Sequence, residues 1–155
     1  MPEMVTLTID GTEVKVPKGT TILEAAKQVG KVIPHYCYHP GMSSPAMCRM
    51  CLVDVEGAPK PQASCVTTVM ENQVVDTESS ASVANRRGVL EFYLVNHPLD
   101  CPVCDQAGEC ELQNYSFSHG SGSSRPASSN GFQREHGHCF RPLQEHAMDR
   151  GKEPG

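Results

Sequence analysis

The sequence contains no tryptophan, and phenylalanine, tyrosine and tryptophan together make up only 5% of its 155 residues. Large aromatic side chains fill much of a protein interior, so any core here must be small. Small cores usually need a staple such as a disulfide or a metal. Long apolar runs are missing too. The longest apolar-looking stretch, Val89 to Val95, already contains Glu91 and falls far short of the roughly 20 residues that span a bilayer. Any membrane association must therefore come through partners. The N-terminus, Met1-Pro2-Glu3-Met4, has no basic stretch and no apolar segment, so no secretory signal is read. Basic residues are the minority, 13 against 18 acidic, for a net charge of −5 and a pI near 5.8. That balance argues against nucleic acid as a ligand. Cysteine, by contrast, is plentiful, with eight in the chain. Without export, disulfides are not expected, and the cysteines read as metal ligands.

Hydrophobic patterning predicts an α+β chain. Val5, Leu7 and Ile9 alternate with Thr6 and Thr8, Asp10-Gly11 follows, and Val14 and Val16 alternate again. Two alternating runs around Asp-Gly signal a β-hairpin. Thr21-Ile22-Leu23-Glu24 fits a capping box and Gly30 a helix stop, which places a short helix at about 22–29. Leu52, Val53 and Val55 suggest a third strand ending at Glu56-Gly57, and residues 61–66 and 73–76 can supply two more. Hairpin, helix, cysteine loop and further strands are the element order of a β-grasp ferredoxin. A second helix is expected from about Ser80 to Asn96, with Val83, Leu90, Tyr93, Leu94 and His97 on one face and Pro98 ending it. Cys101 to Cys110 form a compact loop, and 109–117 can make one or two helical turns.

From Ser118 the composition changes to a Gly/Ser-rich stretch, and residues 132–155 show no apolar periodicity. Three parts are expected: a ferredoxin-type domain over 1–79, a small helical module over 80–117, and a disordered linker and tail over 118–155.

The cysteines fall into two groups. Cys37, Cys48, Cys51 and Cys65 are spaced C-x10-C-x2-C-x13-C, while His97, Cys101, Cys104 and Cys110 are spaced H-x3-C-x2-C-x5-C. Soft thiolates suit iron–sulfur clusters, and a C-x2-C pair lets one tight turn present two sulfurs to one metal centre. The first group follows plant-type [2Fe–2S] logic with a longer first gap. Zinc fits that group less well, because its sites often use two C-x2-C pairs. For the second group Cys3His is a legitimate zinc set, so spacing alone leaves zinc open there. His35 and His39 flank Cys37 but are surplus to a complete set of four. Arg49, between two ligands, reads either as a solvated loop charge or as a charge that offsets a cluster. His136, His138, Cys139 and His146 read as a His-containing tail rather than a site. Gly120-Ser121-Gly122 has no third glycine and no preceding strand, so it is no dinucleotide fingerprint.

The stretches Pro34-His35-Tyr36-Cys37-Tyr38-His39-Pro40 and Met47-Cys48-Arg49-Met50-Cys51-Leu52-Val53-Asp54 resemble the [2Fe–2S] region of the NADH–quinone oxidoreductase-G family, an iron–sulfur component of respiratory complex I. The run from His97 through Asp100-Cys101-Pro102-Val103-Cys104-Asp105-Gln106 to Cys110-Glu111-Leu112-Gln113 resembles that family's next motif still more closely. The resemblance implies one [2Fe–2S] cluster on the first four cysteines and one [4Fe–4S] cluster on His97, Cys101, Cys104 and Cys110. It further implies a relay of single electrons from flavin towards quinone, and other peripheral-arm subunits as partners, among them the flavin- and NADH-binding chain. The location it implies is the cytoplasmic side of the cell membrane, held there as part of a complex. The chain alone is not expected to turn over. Related arrangements occur in NAD-linked hydrogenases and formate dehydrogenases, which makes an electron-input module of such an enzyme the alternative. The resemblance runs from residue 4 to about 117. The family's further Cys-rich [4Fe–4S] motif and long C-terminal domain are not matched, as expected of a truncated or frame-disrupted version or a naturally short paralogue.

Overall fold

A computed structural model describes residues 3–98 and 100–121. The expectation for the tail falls, beyond Ser121, outside the described residues. The described residues divide into two units, one up to Val89 and one from Leu90 onward.

The first unit is built on a five-stranded mixed sheet. Strands β1 (Met4–Ile9) and β2 (Thr12–Pro17) form the expected hairpin, and helix α1 (Ile22–Gln28) follows. The remaining strands are β3 (Leu52–Val55), β4 (Gln62–Ala63) and β5 (Gln73–Asp76), in the order β2-β1-β5-β3-β4. β1 and β5 run parallel with Leu7 opposite Gln73, and the other pairs are antiparallel. Asp10 and Gly11 both have positive φ, 48° and 78°, as the tight turn of a two-residue hairpin requires. Val5, Leu7, Ile9, Val14 and Val16 then share the buried face with Val53, Val75 and the α1 residues Ile22, Leu23, Ala25 and Ala26.

Local chemistry fixes both ends of α1. The Thr21 hydroxyl accepts the Glu24 N–H at 3.3 Å. The reciprocal half of the capping box gives way to another contact, because the Glu24 carboxylate accepts from the Tyr38 hydroxyl and pairs with Lys27. At the far end Gly30, at φ 73°, donates to Lys27 O and Lys31 donates to Ala26 O, the paired bonds of a Schellman stop.

Helix α2 (Ser80–Val95) is capped by Ser79, whose hydroxyl accepts the Ser82 N–H at 3.1 Å and donates to Asp54. Its buried positions are Ser82, Arg86 and Leu90, spaced four apart, while Tyr93 is 39% exposed. The inward stripe is thus narrower and more polar than the apolar periodicity suggests. Arg86 tolerates burial because its guanidinium donates to Glu78 at 2.9 Å and to Thr77 O. Beyond α2, Cys101–Val103 make a 3-10 turn that the spacing did not indicate, and helix α3 (Glu111–His119) is longer than expected, running past Ser118.

The hairpin turn is tied to the residue that follows the neighbouring strand β5. The Asp10 carboxylate accepts the Thr77 N–H and hydroxyl, both at 2.7 Å, and pairs with Lys31 at 3.3 Å. Burial acts to raise its pKa, but the Thr77 hydrogen bonds and Lys31 outweigh burial and hold it below the ordinary 3.8. A carboxylate depressed in the folded state stabilises above its ordinary pKa, and the contribution is lost as pH falls through the folded value. Asn keeps the left-handed backbone but not the charge. Asp10→Asn should therefore cost about 1–2 kcal/mol near neutral pH. The cost should shrink as pH drops below 4, as read from thermal midpoints of the two proteins across pH.

Candidate metal centres

The first four cysteines lie in the segments that flank β3 and β4, with Cys37 and Cys48 in the loop between α1 and β3, Cys51 directly before β3 and Cys65 just after β4. Buried Ile33 and Pro34 lead from α1 into the Cys37 loop. The Tyr38 hydroxyl ties that loop back to Glu24, and Lys27 lies 4.9 Å over the Tyr38 ring. The Glu24 carboxylate pushes the Tyr38 phenol up to about 12, with burial adding to the effect. His35 and His39 each bond a main-chain carbonyl, of Ile33 and Pro40 respectively, at 2.7 Å. Ala46 and Arg49 sit in the left-handed backbone region at φ 52° and 56°, turning the chain sharply on either side of Cys48. Arg49 itself is exposed, in keeping with a solvated loop charge.

Cys65 is brought back from 14 positions beyond Cys51 by its neighbour Ser64. The Ser64 N–H and hydroxyl both donate to Cys51 O, at 3.1 and 2.8 Å, and Ser64 O accepts the Leu23 N–H at 3.0 Å. Cys48, Cys51 and Cys65 are buried and Cys37 is half-buried. The four associate in two pairs. Burial opposes ionisation of Cys37, yet hydrogen bonds from the N–H groups of Cys48, Met47 and Cys37 itself, with the Cys48 side chain, bring its pKa below the ordinary thiol value. Burial instead pushes Cys51 up to about 11, although the Cys65 N–H points at its sulfur. Inward-pointing N–H groups are what a bound thiolate needs once it carries charge.

The four residues of the second group line one cavity of about 100 Å³, together with Pro98, Ala107, Leu112 and Gln113 among others. His97 follows α2, with its N–H donating to Leu94 O. Cys101 opens the 3-10 turn and Cys104 closes it. Gly108, at φ 90°, swings the chain back, and Cys110 occupies the N-cap of α3. Pro98, Ala107 and Leu112 supply an apolar wall, a low-dielectric lining suited to a redox centre. Among the described residues, no three His, Cys, Asp or Glu side chains converge as they would on a single metal ion. Soft donors arranged as two pairs in the first group and around one cavity in the second fit multi-iron clusters, which spread their ligands over several metal atoms.

Two contacts have no counterpart in the sequence pattern. One is the Tyr38–Glu24 tie. The other is Ser44, whose hydroxyl lies 3.2 Å from the Cys65 sulfur. Neither residue belongs to a ligand spacing, although the ten-residue first gap shows that the loop has length to spare. The thiol environments give a direct test on cluster-free chain. Iodoacetamide should alkylate Cys37 at least several-fold faster than Cys51 at pH 8, because the thiolate is the nucleophile and burial suppresses it at Cys51. Peptide mass spectrometry over time reads this, and equal rates would contradict the environments described.

Known proteins of similar sequence contain the same two kinds of region. Residues 2–80 match the family described as a 2Fe-2S iron-sulfur cluster binding domain, and residues 86–125 match the NADH-ubiquinone oxidoreductase-G iron-sulfur binding region. The second match carries the likeness beyond 117. The chain is 51% identical over 122 residues to NADH-quinone oxidoreductase-G of Rickettsia bellii, covering 79% of this chain and 18% of that protein. It is 52% identical over 125 residues to the protein of the same name from Streptomyces coelicolor, covering 79% and 15%. It thus spans less than a fifth of the length of these relatives. Among solved structures, a chain of NAD+-reducing [NiFe]-hydrogenase in the H2-reduced state is similar, with a TM-score of 0.68 and 35% identity. That likeness covers 74% of this chain and 48% of the other. The chain belongs to the 2Fe-2S iron-sulfur cluster binding domain family, in the branch that joins this domain to the iron-sulfur binding region of NADH-quinone oxidoreductase-G, and its cofactors are one [2Fe–2S] and one [4Fe–4S] cluster.

Proposed function

We propose that this chain relays single electrons within an NADH:quinone oxidoreductase, with Cys37, Cys48, Cys51 and Cys65 holding the [2Fe–2S] cluster and His97, Cys101, Cys104 and Cys110 the [4Fe–4S] cluster. The observation that carries the proposal is the gathering of His97 with Cys101, Cys104 and Cys110 around one cavity. That set follows, in the same chain, a complete set of four cysteines. When bound, the clusters supply reversible one-electron chemistry. The chain provides the ligands, the burial and the hydrogen bonds that set each potential. Cys37 with Cys48, and Cys51 with Cys65, are the pairs that would each serve one iron. His97 contributes a neutral nitrogen where a thiolate would bring a negative charge, which makes reduction at that site less costly.

Electrons would enter from a flavin-bearing partner chain that also binds NADH and leave towards quinone. The partners would be other subunits of the peripheral arm, on the cytoplasmic face of the membrane. Among the described residues no helix is long and apolar enough to cross a membrane, so attachment would run through those partners. Three boundaries go with this reading: a ferredoxin-type domain over 1–79, a His/Cys3 module over 80–117, and a linker and tail over 118–155. The hydrogenase likeness supports a second reading, an electron-input module of an NAD-linked hydrogenase. Identities of 51–52% to the NADH-quinone oxidoreductase-G relatives against 35% to the hydrogenase chain favour the first.

Anaerobically purified chain should contain about six iron atoms, two plus four, with matching acid-labile sulfide. Stoichiometric zinc with negligible iron would refute the ligand assignment. His97→Ala should lose or destabilise the [4Fe–4S] signal in electron paramagnetic resonance while the [2Fe–2S] signal stays. Persistence of both signals unchanged would remove His97 from the ligand set.

A further inference from the structure

We propose that Ser44 sets the reduction potential of the [2Fe–2S] site by donating an O–H···S hydrogen bond to Cys65. The inference rests on the ligand assignment above. Ser44 is half-buried in the loop between Cys37 and Cys48, and its hydroxyl oxygen lies 3.2 Å from the Cys65 sulfur, 21 positions along the chain. That distance is within hydrogen-bond range for a sulfur acceptor. A metal-bound cysteine is a thiolate and can only accept, so in the loaded protein the proton of this contact must come from serine. The Ser64 hydroxyl serves Cys51 rather than Cys65, donating to Cys51 O at 2.8 Å and bearing on the Cys51 sulfur.

The ten-residue gap explains how the contact arises. The plant-type first gap is about four residues. Here the added length lets the loop reach the distant fourth cysteine, and Ser44 is the residue that touches it. The surroundings of Cys65 make the contact count. Its sulfur is buried, only 3% of the residue being exposed, so water does not compete strongly for it. One-electron reduction adds negative charge that is shared onto the ligand sulfurs. A donor at 3.2 Å strengthens as that charge grows, and so stabilises the reduced state more than the oxidised one. Ser44 is a positioning and tuning residue, not a ligand, and its removal should lower the midpoint potential while leaving the cluster in place.

The test uses the full chain, loaded anaerobically with iron and sulfide and titrated with dithionite. The [2Fe–2S] and [4Fe–4S] signals are followed separately by electron paramagnetic resonance. Ser44→Ala should shift the [2Fe–2S] midpoint to lower potential and leave the [4Fe–4S] midpoint where it is. Ser44→Thr, which keeps the hydroxyl, should restore the wild-type value. An unchanged midpoint in Ser44→Ala overturns the inference, as does an equal shift in Ala and Thr, which would point to loop packing. If Ser44→Ala fails to retain the cluster, Thr decides: retention at the wild-type potential supports the hydroxyl, and loss in both refutes it. Wild-type chain without a [2Fe–2S] signal would overturn the ligand assignment itself, and the inference with it.

Discussion

The first site depends on the hydrogen bonds between Ser64 and Cys51. Ser64 is fully buried, and its N–H and hydroxyl converge on one carbonyl. A buried polar residue must find partners or suffer the full loss of hydration, and these partners determine where the chain goes. They place Cys65, the next residue, against Cys51. The Ser64 carbonyl then takes an N–H from the start of α1, an end that lacks helical partners of its own. One residue therefore registers the fourth cysteine, the C-x2-C turn and the helix together, and the sheet supplies the platform beneath them.

Much of this was legible in the sequence because the deciding forces act over a few residues. The Asp10-Gly11 turn, the alternating valines and isoleucines, the Gly30 stop and the five strands all follow from local backbone preference and period-two burial. Local patterns could not show competition between partners. Glu24 sits where a capping box wants it, but its carboxylate goes to the Tyr38 hydroxyl instead of the Thr21 N–H. Arg86 carries no local sign of burial, yet it is buried, since its donors find Glu78 and Thr77. The candidate ligand residues were picked out on a different signal, that spacing constrains which sulfurs a tight turn can present. The hydroxyl of Ser44 obeys no such spacing and emerges only from tertiary contact.

The two sites are built differently. Around Cys37, Cys48, Cys51 and Cys65 the protein supplies a sheet, a helix and inward-pointing N–H groups, and three of the four sulfurs are buried. The His97 site is a cavity formed by a 3-10 turn, a glycine reversal and the first turn of α3, with Cys104 exposed. The first scaffold has a hydrophobic cluster of its own to hold its geometry. The second is mostly loop, and a cluster held there would contribute more of the ordering, as in other small metal-stapled modules.

The pairing of β1 with β5 has a kinetic consequence. Leu7 and Gln73 are direct neighbours in the sheet although most of the first unit separates them in sequence. Contacts so distant close slowly, because loop entropy is lost before packing compensates for it. The hairpin and α1 involve near neighbours and can form early, while the chain between β1 and β5, which carries all four cysteines of the first group, is still open. Closing the sheet by pairing β1 with β5 thus becomes a late step of folding.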